Sequence, residues 1–423
     1  MSVKQKKKAQ ILIDVGSSTV KVYKKIENRL TLLFTRSLSF KVDFDSSKGL
    51  SITSKQELFE LVDEVKLQNK SSLIKIFATA LFRELTCEAK IKWVDEFYLR
   101  TGLFFNIISH DLENYALETA LVGKYDSKEP ILLVNIGGGS IELAVMFGRE
   151  AIERKNISLG IGNILKQFEG INSEYSIVDI EKVVEYVVKQ LPNLDNNVKT
   201  AIYNGGELTY MRLAGYQLTG NNVFSDKKHP CLIDIRDFQQ QNAKIFKETS
   251  LNDLENLMPQ NPKWMHGARG CSAIAQSIFQ KYKIKTIVPS DSNLIDGLSS
   301  KEYRYVTISG SFRKHLKQIV SIRNIMVDAG ITVLSPRFVD PKNPKEEFVV
   351  FAGEEGSLPL ELERYHLNCI NMSDALIVVC PDGYVGASAL MEIGYAHSLG
   401  KRIIFTEEPQ EFILKTLPCE IGL

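Results

Sequence analysis

The stretch Ile131–Val145, with the sequence ILLVNIGGGSIELAV, decides the fold of this chain. Two apolar runs flank a Gly/Ser turn, which is typical of two strands joined by a tight connection. The earlier stretch Ile11–Tyr23, ILIDVGSSTVKVY, has the same order of strand, Gly/Ser turn and strand. Backbone amides in such turns can surround phosphate oxygens. Either turn alone also fits a plain hairpin connection, but the pair predicts a duplicated fold that closes on a phosphate from both sides.

The segments between and after the turns complete an ordered series of motifs. Ala78, Thr79, Leu81 and Arg83 match an A-T-x-A-x-R pattern, and Ile108, Ser109 and Glu113 match an I-S-G-x-x-E-A pattern. A Tyr203–Glu207 turn and the segment Pro289–Leu298 follow. From about residue 10 to residue 298 the chain resembles the Ppx/GppA exopolyphosphatase and guanosine pentaphosphate phosphatase family. That family is a branch of the actin and sugar-kinase superfamily.

The resemblance implies a role for each matched residue. Asp14 and the residue at position 135 would hold a divalent metal, Mg²⁺, or its water. Arg83 would contact phosphate, and Glu113 would orient or deprotonate the attacking water, as phosphoryl transfer requires. The phosphate-binding residues would be Gly16, Ser17, Ser18, Arg83, Gly137, Gly138, Gly139 and Ser140.

Four positions depart from the family pattern. Asn135 replaces an aspartate, Ile141 a threonine, His110 a glycine and Asn114 an alanine. A neutral amide is a weaker ligand for a hard cation than a carboxylate. The sequence therefore predicts that this part of the chain binds a nucleotide or phosphate and hydrolyses it inefficiently.

A second α/β pattern begins after residue 302. Ala375–Cys380 is apolar throughout, as in a strand covered on both faces of a parallel sheet. A Gly-rich turn and the helical stretch Ala387–His397 follow, and Glu392 lies in that helix. Ligands of open parallel sheets bind beyond the carboxyl ends of the strands. The pattern predicts a small doubly wound parallel sheet, with Glu392 as a candidate nucleophile.

This part of the chain resembles the nucleoside 2-deoxyribosyltransferase superfamily. The resemblance rests on Ser309–Arg313, Ser373–Ala375, Gly383–Gly386, Met391–Ala396 and Gly400–Lys401. It implies that Glu392 attacks the anomeric carbon of a nucleoside or nucleotide, with no cofactor required. The implied substrate-binding residues are Gly310, Ser311, Arg313, Asp374, Tyr384 and Ser388.

The predicted fold class is therefore α/β, with a duplicated, two-lobed actin/sugar-kinase-like domain followed by a small doubly wound domain. The predicted boundaries are a basic tail at 1–9, lobes at about 10–125 and 126–298, a linker at 299–302 and a domain at 303–423. With 52 basic and 51 acidic side chains, the chain offers no electrostatic case for binding bulk nucleic acid or a membrane. Six scattered cysteines and the lack of a signal sequence favour a reduced, cytoplasmic protein.

These patterns lead to three functional hypotheses. The first is an N-glycoside hydrolase or deoxyribosyltransferase centred on Glu392, regulated by the phosphatase-like module and acting in bacterial stress or antiviral defence. The second is an active exopolyphosphatase or guanosine pentaphosphate phosphatase whose C-terminal domain binds a nucleotide. The third is a non-catalytic nucleotide sensor. The expected partners are a nucleoside or nucleotide, a phosphate ligand such as polyphosphate or guanosine tetraphosphate, and a second copy of the chain in a homodimer or larger homo-oligomer.

Overall fold

The computed structural model describes residues 9–17, 19–27, 29–38, 40, 44–121, 129–148, 150–224, 228–343, 346 and 348–422. Within these ranges the chain forms sheets of five, seven and five strands, each packed against helices. The α/β class predicted from the sequence is confirmed. No helix in the described part is long and apolar enough to cross a membrane.

The first sheet has the strand order β3-β2-β1-β4-β5. Its strands are β1 (Gln10–Val15), β2 (Thr19–Ile26), β3 (Arg29–Ser37), β4 (Leu73–Ala78) and β5 (Phe105–Ile107). Its helices are α1 (Ile52–Gln68), α2 (Cys87–Thr101) and α3 (His110–Leu121), with a short 3₁₀ helix at Ala80–Glu84. The antiparallel pair β1 and β2 and the parallel pair β1 and β4 make this a mixed sheet.

The second sheet has the order β10-β11-β12-β9-β6-β7-β8. Its strands are β6 (Ile131–Ile136), β7 (Ile141–Phe147), β8 (Glu150–Ile157), β9 (Thr200–Asn204), β10 (Thr219–Gly220), β11 (Cys231–Asp234) and β12 (Thr286–Pro289). The helices along this part of the chain are α4 (Ile161–Gln167), α5 (Ile180–Gln190), α6 (Glu207–Leu213), α7 (Ile235–Lys247), α8 (Leu251–Asn256), α9 (Ala268–Lys281) and α10 (Leu294–Leu298), with a 3₁₀ helix at Pro262–Gly267. In both sheets a Gly/Ser turn joins two antiparallel strands, β1 to β2 and β6 to β7, as the repeat in the sequence predicts.

The third sheet has the order β14-β13-β15-β16-β17, and all of its pairings are parallel. Its strands are β13 (Tyr305–Gly310), β14 (Thr332–Ser335), β15 (Ala375–Val379), β16 (Arg402–Phe405) and β17 (Glu420–Ile421). Its helices are α11 (Phe312–Asp328), α12 (Pro359–Met372), α13 (Ala387–Ser398) and α14 (Phe412–Thr416), with a 3₁₀ turn at Pro381–Gly383. We refer to residues 305–421 as the C-terminal unit. The second strand of this unit, β14, lies at the edge of the sheet beside the first strand, β13. This strand order is one of the two common doubly wound arrangements.

Helix α10 returns to the first sheet after the second sheet is complete. Its Leu294, Ile295 and Leu298 belong to one buried cluster with Leu112 and Ala116 of α3. A Cβ atom added to Gly297 would lie only 1.8 Å from the Ala116 carbonyl oxygen, so α10 and α3 pack backbone to backbone. The sequence places residues 294–298 in the second lobe, whereas in the structure they pack on the helix that carries His110 and Glu113.

The C-terminal unit packs directly on the first sheet and its helix α2. Within residues 299–302, predicted to be a linker, the Glu302 carboxylate lies 2.6 Å from Lys75 Nζ and 2.9 Å from Arg402 Nη2. The Arg402 side chain is 1% exposed and also pairs with Glu420. His397 Nε2 lies 3.0 Å from Asp95 Oδ1 of α2. Removing one member of such a buried ionic network lowers the free energy of unfolding by about 3–5 kcal/mol. The contact between the C-terminal unit and the first sheet is therefore coupled to the stability of the fold.

Candidate active site

Helix α4 holds the Gly-rich turn between β6 and β7 in place. The backbone amides of Ile161 and Gly162 donate to the carbonyl oxygens of Gly137 and Gly138 at 3.0 and 2.8 Å. Gly160 makes this approach possible, because a Cβ atom there would lie 2.5 Å from Gly139 N. The other turn is closed by a 2.9 Å hydrogen bond from Gly16 N to Thr19 O, and its Ser17 is buried. Ser18, also predicted to bind phosphate, lies outside the described residues.

Arg83 and Glu113 form a nearly buried ion pair. Arg83 Nη1 lies 2.6 Å from Glu113 Oε2 and also donates to the Ile108 carbonyl at 3.3 Å. The short 3₁₀ helix after β4 carries Arg83, and the first turn of α3 carries Glu113. Arg83 Nε and Nη2 are buried without a hydrogen-bond partner among the described residues. Two nitrogens of one guanidinium are therefore available to donate hydrogen bonds to an oxyanion, which is the geometry that favours phosphate.

Glu142 joins this site from the second sheet. Its Oε2 accepts a 2.8 Å hydrogen bond from Asn135 Nδ2, and its Oε1 accepts a 2.6 Å bond from Ser140 Oγ. Asn135 and Glu142 are cross-strand partners in the β6–β7 pair, which places both side chains on one face. Burial, followed by the nearby Glu113 carboxylate, raises the pKa of Glu142 to about 7. Sequence reasoning did not assign Glu142 to the site, because its role depends on this pairing and on the approach of α3.

His110, Glu113 and Glu142 form a cluster in which the three possible ligand atoms lie within 4.8 Å of one another. Desolvation and the neighbouring Arg83 lower the pKa of His110, which favours the neutral imidazole that a metal requires. Two mutually repelling carboxylates and an imidazole fit a divalent cation, and a hard cation such as Mg²⁺ prefers the carboxylate oxygens. The sequence analysis identified His110 only as the replacement of a family glycine and did not predict it as a metal ligand.

Asp14, the residue predicted to hold the metal, lies outside the cluster identified among the described residues. Burial raises the pKa of its carboxyl to about 6, Lys21 acts in the opposite direction and Glu113 adds to the rise. The carboxylates of Asp14 and Glu113 are therefore close enough to repel each other. The role of Asp14 in metal binding stays a prediction, and Asn135 serves here as a hydrogen-bond donor to Glu142.

The site makes the folding stability depend on pH. Folding raises the pKa of Glu142 from 4.5 to about 7. Between these two pH values the folded protein therefore binds more protons than the unfolded chain. The free energy of unfolding therefore falls as the pH rises through this range. In metal-free buffer, we expect Glu142→Gln to raise the free energy of unfolding by roughly 2 kcal/mol at about pH 8 and to change it little at about pH 4.

Urea denaturation of the wild type and of Glu142→Gln across this pH range measures the effect. Glu57 is an exposed glutamate on α1, and Glu57→Gln serves as the matched control. Equal pH dependence in the wild type and Glu142→Gln would show that the Glu142 carboxyl does not carry the effect.

Away from this site, a cavity of about 340 Å³ opens at the carboxyl ends of the strands in the C-terminal unit. Among the residues that line it are Gly310, Ser311, Arg313, Tyr384, Ser388 and Glu392. The Glu392 side chain is 5% exposed, and its Oε2 lies 3.3 Å from His366 Nε2. Burial lowers the pKa of His366, but the adjacent Glu392 carboxylate outweighs it and the net shift is upward. The structure thus brings together most of the substrate-binding residues predicted from the sequence.

Asp374 is the exception. It precedes β15, at the opposite end of the strand from the Glu392 cavity, and its Oδ2 accepts hydrogen bonds from the backbone amides of Arg304 and Tyr305 at 2.8 and 2.9 Å. A residue at the amino end of a parallel strand cannot reach a ligand bound beyond the carboxyl end. Asp374 was predicted to bind the same substrate as Glu392. The structure corrects this prediction, because Asp374 lies at the other end of β15.

Comparison with known families decides the class of the chain. A sequence model of the Ppx/GppA phosphatase family matches residues 51–303, more than half of the chain. The chain belongs to the Ppx/GppA phosphatase family. The matched region includes Arg83, Glu113 and the Gly137–Gly139 turn.

Solved structures of Ppx/GppA proteins have the same fold. An exopolyphosphatase from Cytophaga hutchinsonii superposes with a TM-score of 0.57 at 12% identity, over 70% of this chain and 97% of that protein. The Ppx/GppA family member of Aquifex aeolicus gives a TM-score of 0.53 at 19% identity, over 70% and 97% of the two chains. Both likenesses support the two-lobed fold expected for residues 10–298. No curated protein matches the chain.

Family membership corrects the leading functional hypothesis. The prediction of an N-glycosidase or deoxyribosyltransferase centred on Glu392 is wrong, because the matched family is a phosphatase family whose match ends at residue 303. Nothing in these comparisons supports a deoxyribosyltransferase-like unit, a transferase activity or a role in antiviral defence. The domain boundaries, the ligand of the Glu392 cavity, the cytoplasmic location and the homo-oligomeric state stay predictions.

Proposed function

We propose that the chain hydrolyses the terminal phosphoanhydride bond of inorganic polyphosphate or of a guanosine pentaphosphate-like nucleotide, at the site formed by the two Gly/Ser turns, Arg83 and the cluster of His110, Glu113 and Glu142. The observation that carries the proposal is the convergence of Arg83 with three potential metal ligands in a member of a phosphatase family. Phosphoryl transfer requires positioned nucleophile and leaving-group oxygens and neutralised charge.

Each residue has a distinct part in this reaction. Arg83 donates its unpaired N–H groups to the non-bridging oxygens of the transferred phosphoryl group, where negative charge is concentrated. Glu113 accepts a proton from the attacking water, or holds that water in line with the phosphorus. Backbone amides of the Gly/Ser turns bind the remaining phosphate oxygens. A divalent cation, held by His110, Glu113 and Glu142, would neutralise the charge of the phosphate oxygens and of the two carboxylates.

Measurement of phosphate release tests the proposal. Long-chain polyphosphate, tripolyphosphate, guanosine tetraphosphate and guanosine pentaphosphate are each incubated with the protein in Mg²⁺ or in EDTA, and inorganic phosphate is determined. We expect release that requires the cation from at least one of these compounds. Glu392→Gln should retain it, because Glu392 lies in the separate cavity of the C-terminal unit. Absence of release from all four compounds would contradict the proposal and favour a non-catalytic sensor.

The replacement of the family aspartate by Asn135 gives a further prediction. Asn135→Asp places a third carboxylate beside Glu142, whose Oε2 now accepts a hydrogen bond from Asn135 Nδ2. Without metal, repulsion should destabilise the protein by about 1–2 kcal/mol, while with metal the added charge should lower the Mg²⁺ concentration needed for half-maximal activity roughly tenfold.

Denaturation in EDTA and metal titration of phosphate release measure these opposite effects. Asn135→Ala, which removes the amide without adding charge, is the matched control. An Asn135→Asp protein with an unchanged metal requirement would place the cation away from Glu142.

A further inference from the structure

The cavity of about 340 Å³ in the C-terminal unit ends against buried polar atoms that the proposed hydrolysis does not use. Glu392 Oε2 and His366 Nε2 lie 3.3 Å apart, and neither atom makes a hydrogen bond among the described residues. Glu363 Oε1 is likewise buried without a hydrogen-bond partner in the described part of the chain. Buried polar atoms in native proteins are nearly always hydrogen-bonded, so three such atoms in residues that line one cavity indicate a ligand.

The buried end of this cavity offers both hydrogen-bond donors and acceptors. Ser335 Oγ lies 2.7 Å from His366 Nδ1 and fixes the imidazole ring, which leaves Nε2 on the side of Glu392. Burial lowers the pKa of His366, but the carboxylates of Glu392, Glu363 and Glu354 raise it further, and the protonated ring is favoured. A hydroxyl group can accept from Nε2–H and donate to a carboxylate, whereas an ammonium group can only donate and is repelled by the imidazolium. This end therefore fits a ligand that carries hydroxyl groups.

The exposed rim of the same cavity favours an anion. Helix α13 begins there with Ala387–Ala389, and its N-cap residue, Gly386, has no side chain that could cap the first amides. Those amides have no acceptor within the helix and carry the positive end of its dipole. Ser311 lies beside them, because a Cβ atom at Gly386 would be 4.0 Å from Ser311 Cβ, and the exposed Arg313 also lines the rim. Uncapped amides, a hydroxyl and a guanidinium together fit a phosphate group.

The two ends of the cavity lie one helical turn apart. Ser388 at the rim and Glu392 at the buried end are four residues apart on one face of α13, which is about 6 Å along the helix axis. The rings of Phe312, Phe351 and Tyr384 line the cavity as well. Aromatic walls with a few convergent polar groups are typical of sites for small organic ligands. The spacing fits a ligand in which one sugar ring separates a phosphate from hydroxyl groups.

Helix α13 connects this cavity with the first sheet. Glu392 lies in the middle of the helix, and His397 near its carboxyl end has Nε2 3.0 Å from Asp95 Oδ1 of α2. Directly after the helix, the Leu399 carbonyl accepts a 3.4 Å hydrogen bond from Lys90 Nζ, also of α2. One helix therefore contacts the cavity with one part and the phosphatase-like part of the chain with the other.

The segment after α13 also lies close to the candidate active site. Lys90, Gly400 and Lys401 line a cavity of about 600 Å³ between the two parts of the chain, and Arg83 lines it too. A Cβ atom at Gly400 would lie 3.1 Å from Lys90 Cε. Burial and then the charge of Lys90 lower the pKa of Lys401 to about 8, so the two ammonium groups are near each other. A shift of α13 against α2 would therefore move positive charge in a cavity that Arg83 shares.

We propose that the C-terminal unit is regulatory: its Glu392 cavity binds a phosphorylated sugar, free or as part of a nucleoside monophosphate, without cleaving it, and the bound ligand alters phosphate release through α13 and α2. The hydroxyl groups complete the buried atoms of Glu392, His366 and Glu363, and the phosphate binds at the start of α13. Such a ligand changes the rate to the extent that it binds one arrangement of α13 and α2 better than another. The effect on the rate rests on the proposed function, whereas the binding site does not.

Calorimetry in EDTA tests the binding site with ribose 5-phosphate, adenosine 5′-monophosphate, ribose and inorganic phosphate. We expect one or both phosphorylated sugars to bind at least about tenfold more tightly than ribose or phosphate, because only they reach both ends of the cavity. The tighter of the two identifies the source of the sugar phosphate. Recovery of the ligand unchanged by chromatography is expected, and its cleavage would overturn the proposal.

Variants assign this binding to the cavity. Glu392→Gln and Arg313→Gln should each weaken the binding of the phosphorylated sugar roughly tenfold, since each removes one charge-assisted contact. Glu411→Gln, at an exposed residue of the same unit, is the matched control and should bind as the wild type does. Circular dichroism shows whether each variant is folded, and the exposed position of Arg313 keeps the test open if Glu392→Gln is not. No binding, or binding unchanged in both variants, would overturn the site.

Hydrogen exchange and phosphate release in Mg²⁺ test the connection through α13. We expect the saturating ligand to slow amide exchange in α2 and to change the rate of phosphate release, each by at least about twofold. Asp95→Ala, which removes the contact with His397, should keep the binding and lose both effects, while Glu88→Ala, at an exposed residue of α2, should keep them. Binding with unchanged exchange and unchanged release would overturn the regulatory role. Binding and slower exchange, with no phosphate release from any substrate, would instead overturn the proposed function.

Discussion

Glu113→Gln is expected to reduce the rate of phosphate release by about 100- to 10,000-fold, the range attributable to a general base. The substitution keeps the length of the side chain and removes the charge that pairs with Arg83 Nη1 at 2.6 Å. It removes one of the three potential metal ligands as well. Initial rates at saturating Mg²⁺, measured with the best substrate of the panel, give the effect.

The effect of the lost ion pair on stability must be separated from the effect of the lost general base on the rate of phosphate release. Arg83 and Glu113 side chains are 13% and 9% exposed, so glutamine leaves a nearly buried guanidinium without its counter-ion, at a cost of about 3 kcal/mol of stability. Circular dichroism at the assay temperature shows whether the variant is folded. Glu84→Gln, at an exposed residue beside Arg83, is the matched control and should retain activity. A folded Glu113→Gln protein within a few-fold of the wild-type rate would exclude Glu113 as the base.

The sequence predicts the local parts of the site well. Each Gly/Ser turn and its two strands are contiguous in the chain, so alternating apolar residues and glycines suffice to locate them. The positions of Arg83 and Glu113 follow from motif spacing. The pairing of these two residues across 30 positions, however, depends on how the 3₁₀ helix and α3 pack, and the local pattern does not contain this information.

Sequence reasoning missed Glu142 and the approach of Lys401 to Lys90, because both depend on contacts between distant segments of the chain. Glu142 enters the site through its register with Asn135, and Lys401 approaches Lys90 only because the C-terminal unit packs on α2. The pattern around Glu392 predicted a small doubly wound sheet with this carboxylate near the carboxyl ends of its strands, and in the structure a buried Glu392 lines a cavity there. The chemistry inferred from it was wrong, since the same doubly wound arrangement serves many unrelated functions.

Gly160→Ala is expected to disrupt the phosphate-binding turn of the second sheet. An added Cβ atom would lie 2.5 Å from Gly137 O and Gly139 N, and 2.6 Å from Gly138 C. Gly160 has φ −146°, a conformation open to alanine, so the effect is steric rather than conformational. Either α4 or the turn must move. We expect a loss of about 1–3 kcal/mol in the free energy of unfolding, as for overpacking, and at least about a tenfold loss of activity from the displaced amides.

Urea denaturation and phosphate-release kinetics measure the two losses on the same protein. Gly394→Ala is the matched control, because Gly394 lies in α13 and a Cβ atom there would meet nothing within 4 Å. Replacing a helical glycine in open space should stabilise the protein by about 0.5–1 kcal/mol and leave phosphate release unchanged. If Gly160→Ala loses stability but keeps wild-type kinetics, then α4 has moved and the Gly137–Gly139 turn has kept its place. That outcome would show that the contact between Gly160 and the Gly137–Gly139 turn stabilises the fold but is not needed for phosphate release.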